Sequence, residues 1–209
     1  PKQEEIPLSY AQQRLWFIEQ LLGSSSLYHI PSTLKLTGRL NKEALIKSLN
    51  HLSQRHETLR ALIQSNEGKG IQVILDKDAP FNLQETDCTK GKQDIKELIA
   101  QEINKPFNFH KETLCRAKLF KLSQEEHILT IIFHHIISDG WSNSIWRKEL
   151  SHLYNSYSSN QEPKLPELPI QYTDFTIWQR QWLQGEILDK QLDYWKEQLS
   201  EVTTLDIPT

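Results

Sequence analysis

A chain of 209 residues, 37% hydrophobic and 24% charged, can bury the core of one domain or two small ones, which excludes disorder as its main state. Its formal charge of −3 comes from 24 basic and 27 acidic residues without long single-sign runs, which excludes the basic footprint of a nucleic-acid binder. Two cysteines, Cys88 and Cys115, are too few for a disulfide scaffold and lack metal-like spacing, so the expected compartment is the reducing cytoplasm. No signal peptide opens the chain. Its most notable apolar run, Ile128 to Phe133, is broken by Thr130, whereas a membrane span needs about 20 apolar residues. The absence of methionine, even at position 1, and the ending Leu205-Asp206-Ile207-Pro208-Thr209 suggest a piece of something larger.

The predicted elements alternate. Ala11 to Leu22 reads as a helix with Leu15, Ile18 and Leu22 on one face and a stop at Gly23. Tyr28 to Leu36 alternates as a half-buried strand, with Ile30, Leu34 and Leu36 inward. Asn41 caps a helix striped by Leu45, Leu49 and Leu52. Arg60 to Gln64 and Ile71 to Leu75 pair across the turn Asn66-Glu67-Gly68. A short strand is expected over Phe81 to Gln84. An amphipathic helix follows, marked by Ile95, Leu98, Ile99 and Ile103 and closed by Pro106.

Ala117 to Leu122 and His127 to Phe133 are strands. The second is apolar on both faces and belongs in the middle of a sheet. A loop at 134–140 leads into a helix that buries Trp146, Leu150, Leu153, Tyr154 and Tyr157. Pro163, Pro166 and Pro169 mark a linker, and helices over Tyr172 to Leu183 and Ile187 to Leu199 close the chain. This alternation predicts an α/β or α+β fold, a mixed sheet covered by helices.

The stretch Phe133-His134-His135-Ile136-Ile137-Ser138-Asp139-Gly140 carries the chemistry. A buried strand ends there and a helix begins, and such loops hold side chains rigidly at a cleft. A histidine can exchange a proton near neutral pH, which suits acid–base work by His135 on an amine or hydroxyl. Asp139 could fix the loop by pairing with a cation, and Gly140 permits a ligand to approach the backbone. Paired histidines alone say little. A metal site is conceivable because His135 and Asp139 are four apart, but they flank a strand end and no third ligand is obvious.

This loop resembles, residue for residue, the His-His-x-x-x-Asp-Gly motif of the condensation domains of nonribosomal peptide synthetases, in the chloramphenicol-acetyltransferase-like superfamily. Three further stretches match motifs of that family in the same order: Leu8 to Phe17 (LSYAQQRLWF), Arg55 to Arg60 (RHETLR) and Tyr172 to Arg180 (YTDFTIWQR). Trp141-Ser142 and the Tyr28-to-Pro31 region most resemble the subtype that joins an L-donor to an L-acceptor. Pro106 to Leu114 departs from the family, which usually has an aspartate near 108 and Gly-Pro near 112–113. Lying away from the motifs in sequence, this difference is expected to alter loop shape and not function.

The resemblance implies peptide-bond formation. A donor acyl or peptidyl thioester and an acceptor aminoacyl thioester arrive on upstream and downstream peptidyl carrier proteins. The phosphopantetheine arms of those carriers enter a tunnel from opposite sides, and no cofactor is bound by the chain itself. His135 is implied as the residue nearest the chemistry, either as base or as a group positioning the amine. Arg60 and Asp139 are implied as a buried ion pair, with His134 and Gly140 shaping the loop. Arg14, Trp16, Tyr172 and Trp178 are expected to pack and hydrogen-bond.

The organisation implied is an amino-terminal lobe over 1–157, a linker over 158–171, and helices over 172–209 leading toward a missing carboxy-terminal lobe. Neighbouring synthetase domains would be further partners, without nucleic acid or membrane. The isolated chain would be half of the catalytic unit and inactive. The alternatives are an epimerisation domain, which shares the histidine loop, and a noncatalytic carrier-protein docking or recruitment module on the same fold. The Ala11-to-Arg14 and Arg55-to-Arg60 motifs fit condensation better than epimerisation, and an intact loop argues against decay to a docking module.

Overall fold

The computed structural model describes residues 5–90 and 94–204, so Leu205–Thr209, and with it the end of the expected 172–209 region, lies outside the described residues. In chain order the elements are β1 (Ile6–Pro7), α1 (Tyr10–Leu22), β2 (His29–Thr37), α2 (Lys42–Arg55), β3 (Ala61–Asn66) and β4 (Lys69–Ile74). They continue with β5 (Leu83–Asp87), α3 (Ile95–Asn104), β6 (Cys115–Lys121), β7 (Glu126–His134), α4 (Gly140–Ser158), α5 (Tyr172–Trp182) and α6 (Glu186–Leu199). A 3-10 turn over Glu57–Arg60 joins α2 to β3. No helix among the described residues is long and apolar enough to cross a membrane.

The strands of the described residues form two sheets, the mixed sheet expected and a smaller one. One is mixed, in the order β2-β7-β6-β5, with β5 parallel to β6 and the other pairs antiparallel. Strand β7 lies inside it, as its two apolar faces require. The other sheet, β1-β4-β3, is built on the hairpin at Glu67-Gly68, whose two residues both take positive φ (48° and 76°) to make the tight turn. Strand β5 starts at Leu83 and not at Phe81, because the Phe81 N–H donates to Asn50 Oδ1 and the Phe81 carbonyl closes a turn onto the Leu83 N–H.

The register of the mixed sheet sorts its side chains onto two faces. Ile30, Ser32, Leu34 and Leu36 of β2 lie beside Phe133, Ile131 and Leu129 of β7 and Cys115, Ala117 and Leu119 of β6. Helices α2 and α4 cover this face: Phe133 meets Trp146 at 5.5 Å between ring centres, and Leu45 and Leu150 join the same core. The opposite face carries His29, Thr33, Thr130, His134, Arg116 and Lys118, and α3 lies over it. The apolar stripe predicted for α3 is only half-buried. Its buried residue is Glu102, whose carboxylate takes Arg116 Nε at 3.0 Å and Lys118 Nζ at 3.4 Å.

Helix α1 is turned from its predicted face. It buries Gln12, Leu15, Trp16 and Glu19 and leaves Leu22 65% exposed. Trp16 and Leu8 press onto the hairpin so closely that a Cβ at Gly70 would lie 2.5 Å from Leu8 Cδ1 and 3.0 Å from Trp16 Cδ2. Helix α5 docks through polar groups: Tyr10 N–H donates to Gln179 Oε1 (3.0 Å), Tyr10 Oη to the Leu183 carbonyl (2.8 Å) and Arg180 Nε to the Leu8 carbonyl (2.7 Å). Helix α6 buries no residue and exposes Tyr194 and Trp195.

Candidate functional site

The two histidines that read alike in sequence face opposite environments. His134 is the last residue of β7 and 1% exposed; His135, one step beyond the strand, is exposed. The backbone between them is held on every side. The His134 N–H donates to the Leu114 carbonyl (2.8 Å), the His135 N–H to the Tyr28 carbonyl (2.8 Å), and the Ile137 N–H to the His134 carbonyl (3.0 Å). His134 Nδ1 accepts from the Ile136 N–H at 3.1 Å. Burial, with His29 and His135 close by, holds the His134 imidazole neutral, its pKa pushed down to about 3.

Gln12 ties the first motif to this loop. Its Nε2 donates to the Ile136 carbonyl and to Gln72 Oε1, both at 3.2 Å, while its Oε1 accepts the Ser9 N–H at 3.0 Å. Gln72 in turn donates to the Pro7 carbonyl at 2.9 Å. These two buried carboxamides are satisfied by one another and by backbone, so they fix the distance between α1, β4 and the histidine loop. Sequence reasoning missed both, because a glutamine on a helix or strand reads as surface.

The expected ion pair between Arg60 and Asp139 is not formed. Arg60, 7% exposed, donates from Nε to the Ser53 carbonyl at 2.9 Å and from Nη1 to the Leu75 carbonyl, binding the end of α2 to the residue that follows β4. Asp139 is exposed and is the N-cap of α4, where Oδ1 accepts the Ser142 N–H at 2.9 Å and the Ser142 hydroxyl at 2.6 Å. Those bonds hold its carboxyl below the usual range. Asp139 Oδ1 is engaged by the first turn of its own helix, and Arg60 directs Nε and Nη1 to backbone carbonyls. Gly140, the first residue of α4, is open to solvent: a Cβ there would meet nothing within 4 Å, so packing within the chain does not demand a glycine.

The second motif is anchored instead by Glu149 on α4, which accepts Arg55 Nε at 3.1 Å and lies 2.6 Å from His56 Nε2. Gln171 and Thr173 at the start of α5 bond the Glu57 N–H (3.2 Å) and the Glu57 carboxylate (2.6 Å). Nothing in the local sequence singles Glu149 out. The divergent Pro106-to-Leu114 segment is not remote from the motifs in space. Phe109 lies 4.8 Å and Phe107 6.4 Å from the His134 ring, edge-on, so this segment walls in the first histidine.

His135 opens into a cleft of about 230 Å³ lined by Arg14, Leu15, Ser138, Asp139, Ser142 and Tyr172 among others. A smaller cleft of about 120 Å³ lies against Ile137, Ser138 and Ser142, bounded by His56, Thr58 and Ile145. A larger cavity of about 450 Å³ lies under the other end of β2, between Leu34, Leu36 and Tyr154, and excludes the histidine loop. Of these three, the first is the one that His135 lines. Arg14 lines it, while Trp16 is buried beneath α1, Trp178 is exposed, and Tyr172 shares a hydrogen bond with the Ser9 hydroxyl at 2.9 Å.

A helix-covered mixed sheet that delivers a histidine loop to a cleft has the chloramphenicol-acetyltransferase-like fold. It is shared with the X-domain of teicoplanin biosynthesis, solved in complex with OxyB (TM-score 0.85, 25% identity, 100% of this chain and 46% of that one). The starter condensation domain of rhizomide synthetase has the same fold (TM-score 0.83, 17% identity, 95% and 48%). The chain belongs to the condensation-domain family, whose model matches residues 2–209.

Its relatives include a linear gramicidin synthase of Brevibacillus parabrevis, 40% identical over 100% of this chain and 3% of that protein. Malpibaldin synthetase of Mortierella alpina is 41% identical (100% and 4%). The beauvericin nonribosomal cyclodepsipeptide synthetase of Gibberella fujikuroi is 39% identical (98% and 6%). The chain thus spans about half of the solved chains and a few per cent of the synthetases.

Proposed function

We propose that this chain is the amino-terminal half of a unit that forms peptide bonds between carrier-bound substrates in nonribosomal synthesis. The observation that carries the reading is His135, exposed in a cleft on a loop whose backbone is bonded to Tyr28 just ahead of β2, to Gln12 of α1 and to its own strand end. In the reaction the acceptor amine attacks the donor thioester carbonyl. A C–N bond forms, the C–S bond breaks, and the donor carrier keeps a free thiol on its phosphopantetheine arm. His135 accepts the amine proton or orients the amine. Holding two tethered reactants in line contributes up to about 7–11 kcal/mol, and a positioned base ~10²–10⁴-fold.

Exposed Trp178, Trp182, Tyr194 and Trp195 on α5 and α6, together with the half coverage of the solved neighbours, support a missing second lobe and an inactive isolated chain. The second reading, a recruitment module, rests on the likeness to the X-domain solved in complex with OxyB, and the family match and the synthetase relatives support peptide-bond formation over it.

One assay separates the readings: intact-protein mass spectrometry of the donor and acceptor carriers in a single turnover. The complete domain transfers the acyl group, His135→Ala lowers the rate by about 10²-fold or more, and the 209-residue chain alone gives only background. Wild-type rates in a folded His135→Ala domain would overturn the assignment of His135. Absence of transfer by the complete domain would overturn the peptide-forming reading and leave epimerisation or recruitment.

A further inference from the structure

His29 and His134 face each other across β2 and β7. The adjacent pair is joined by the bond from the His135 N–H to the Tyr28 carbonyl, so His29 and His134 form a non-hydrogen-bonded cross-strand pair, whose side chains come closest in an antiparallel ladder. Their rings lie 6.0 Å apart between centres and nearly perpendicular.

The bonds of the two Nδ1 atoms assign both tautomers. His29 Nδ1 lies 2.6 Å from the Ile103 carbonyl in the last turn of α3; a carbonyl only accepts, so this nitrogen carries the proton and Nε2 bears the lone pair. His134 Nδ1 accepts the Ile136 N–H, so its proton is on Nε2. Both Nε2 atoms are buried and without another partner among the described residues. One is a donor and the other an acceptor, in one pocket walled by Phe107 and Phe109.

We propose that His29 is a positioning residue for the histidine loop: its Nε2 accepts the Nε2 proton of His134 through one bridging water. A single ordered path then runs from the Ile103 carbonyl through both imidazoles to the Ile136 N–H, the peptide beside His135. By holding His134 in one tautomer, His29 keeps Nδ1 available as the acceptor that shapes the loop. The pair works only while neutral. Burial disfavours a cation at either ring; Arg116 of β6, stacked 4.0 Å over the Phe107 ring and paired with Glu102 of α3, adds to this at His29, and His29 and His135 add to it at His134. The role in placing His135 for acyl transfer rests on the proposed function, whereas the tautomer assignment does not.

The test is ¹⁵N–¹H correlation of the histidine rings in the 209-residue chain at pH 7. The expected result is His134 protonated on Nε2 and His29 on Nδ1, each a single neutral tautomer. His134 protonated on Nδ1, or a mixture of tautomers, would overturn the proposal without any variant. His29→Gln retains an acceptor and should preserve the His134 signature and the slow exchange of the Ile136 amide. His29→Leu should give mixed His134 tautomers and Ile136 exchange faster by about tenfold or more. Unchanged tautomer and exchange in His29→Leu would sink the idea. In the complete domain the Leu variant should lose at least about tenfold in transfer rate and the Gln variant less. Because the ring and amide readouts do not depend on turnover, their failure is distinguishable from failure of the peptide-forming reading.

Discussion

The two faces of the β2-β7-β6-β5 sheet solve the same burial problem by different means. Under α2 and α4, Leu129, Ile131, Phe133, Ala117 and Leu119 pack against Leu45, Leu150, Leu153 and Trp146, and burial of apolar surface stabilises them. Under α3, Arg116, Glu102, His134 and Thr130 are buried and His29 half-buried, and they are held by named partners: carbonyls, a carboxylate, a backbone N–H, a hydroxyl and ring edges. The first arrangement tolerates exchange of one apolar side chain for another of similar volume. The second fails when any one partner is lost. The histidine loop leaves the sheet where the two faces meet, so His134 belongs to the polar face and His135 to the cleft.

The largest effect expected on this contrast comes from removing one charge of the polar face. Arg116→Ala leaves the Glu102 carboxylate buried without its main partner, along with the carbonyls of Glu102 and Lys105, and should cost about 3–5 kcal/mol in urea unfolding. Replacing both, Arg116→Met with Glu102→Leu, should recover most of that loss. On the apolar face Leu129→Ala should cost about 2–5 kcal/mol, and Leu129→Met less than about 1.5. A double replacement as damaging as Arg116→Ala alone would show that the polar face is not organised around the pair.

The same contrast explains what was legible in the sequence. The apolar face was readable because Ile30, Leu34 and Leu36 alternate and Ile128 to Phe133 is apolar on both faces but for Thr130, which places β7 inside a sheet. The polar face was not. Glu102 among the isoleucines of α3 reads as the wet side of an amphipathic helix, and only its meeting with Arg116, fourteen residues away, makes burial tolerable. Helix α1 was misjudged for the same reason: Gln12 and Glu19 are buried, while Leu22 and Phe17 are not.

At the site, the motif around His135 was plain, but its supports were hidden. Gln12, Gln72, His29 and Glu149 act through partners 60 or more residues distant; Gln12 and His29 lie inside matched stretches that assign them no role, and nothing local marks Gln72 or Glu149. The Arg60–Asp139 pair was placed by resemblance. Local chemistry decided otherwise, since an aspartate just before a helix satisfies the first-turn N–H groups.

A smaller and graded effect should appear with pH. Burial lowers the pKa of His134 from 6.5 to about 3, and it lowers those of His29 and His51 as well. A histidine kept neutral by the fold takes up a proton more readily once the chain unfolds, so unfolding binds protons as the pH drops below 6.5. Stability is therefore complete above that value and falls below it. The limiting slope is about 1.4 kcal/mol per pH unit for each group whose folded pKa lies well below the working pH. Urea midpoints measured from pH 7.5 to 5 should decline most steeply below 6, and His134→Gln should flatten the curve. A midpoint that is constant over this range would mean that His134 becomes protonated without cost and is not held in the closed aromatic pocket.

The smallest effect bears on Asp139, at the edge between loop and cleft. As N-cap of α4 its carboxylate satisfies the Ser142 N–H, and truncating such a cap costs typically about 1 kcal/mol. A buried ion pair with Arg60 would predict about 3–5 kcal/mol for loss of either partner. Asparagine separates the two roles more sharply than alanine does. It keeps the oxygen that caps the helix and discards the charge an ion pair needs, so Asp139→Asn should unfold within a few tenths of a kcal/mol of the parent while Asp139→Ala loses about 1. Arg60→Ala should be the costlier change, because it strips hydrogen bonds from the carbonyls of Ser53 and Leu75, at about 1–3 kcal/mol for each acceptor left buried. The double variant settles the matter: losses that add within about 0.5 kcal/mol mean separate duties, and a coupling above about 1 kcal/mol would restore the ion pair.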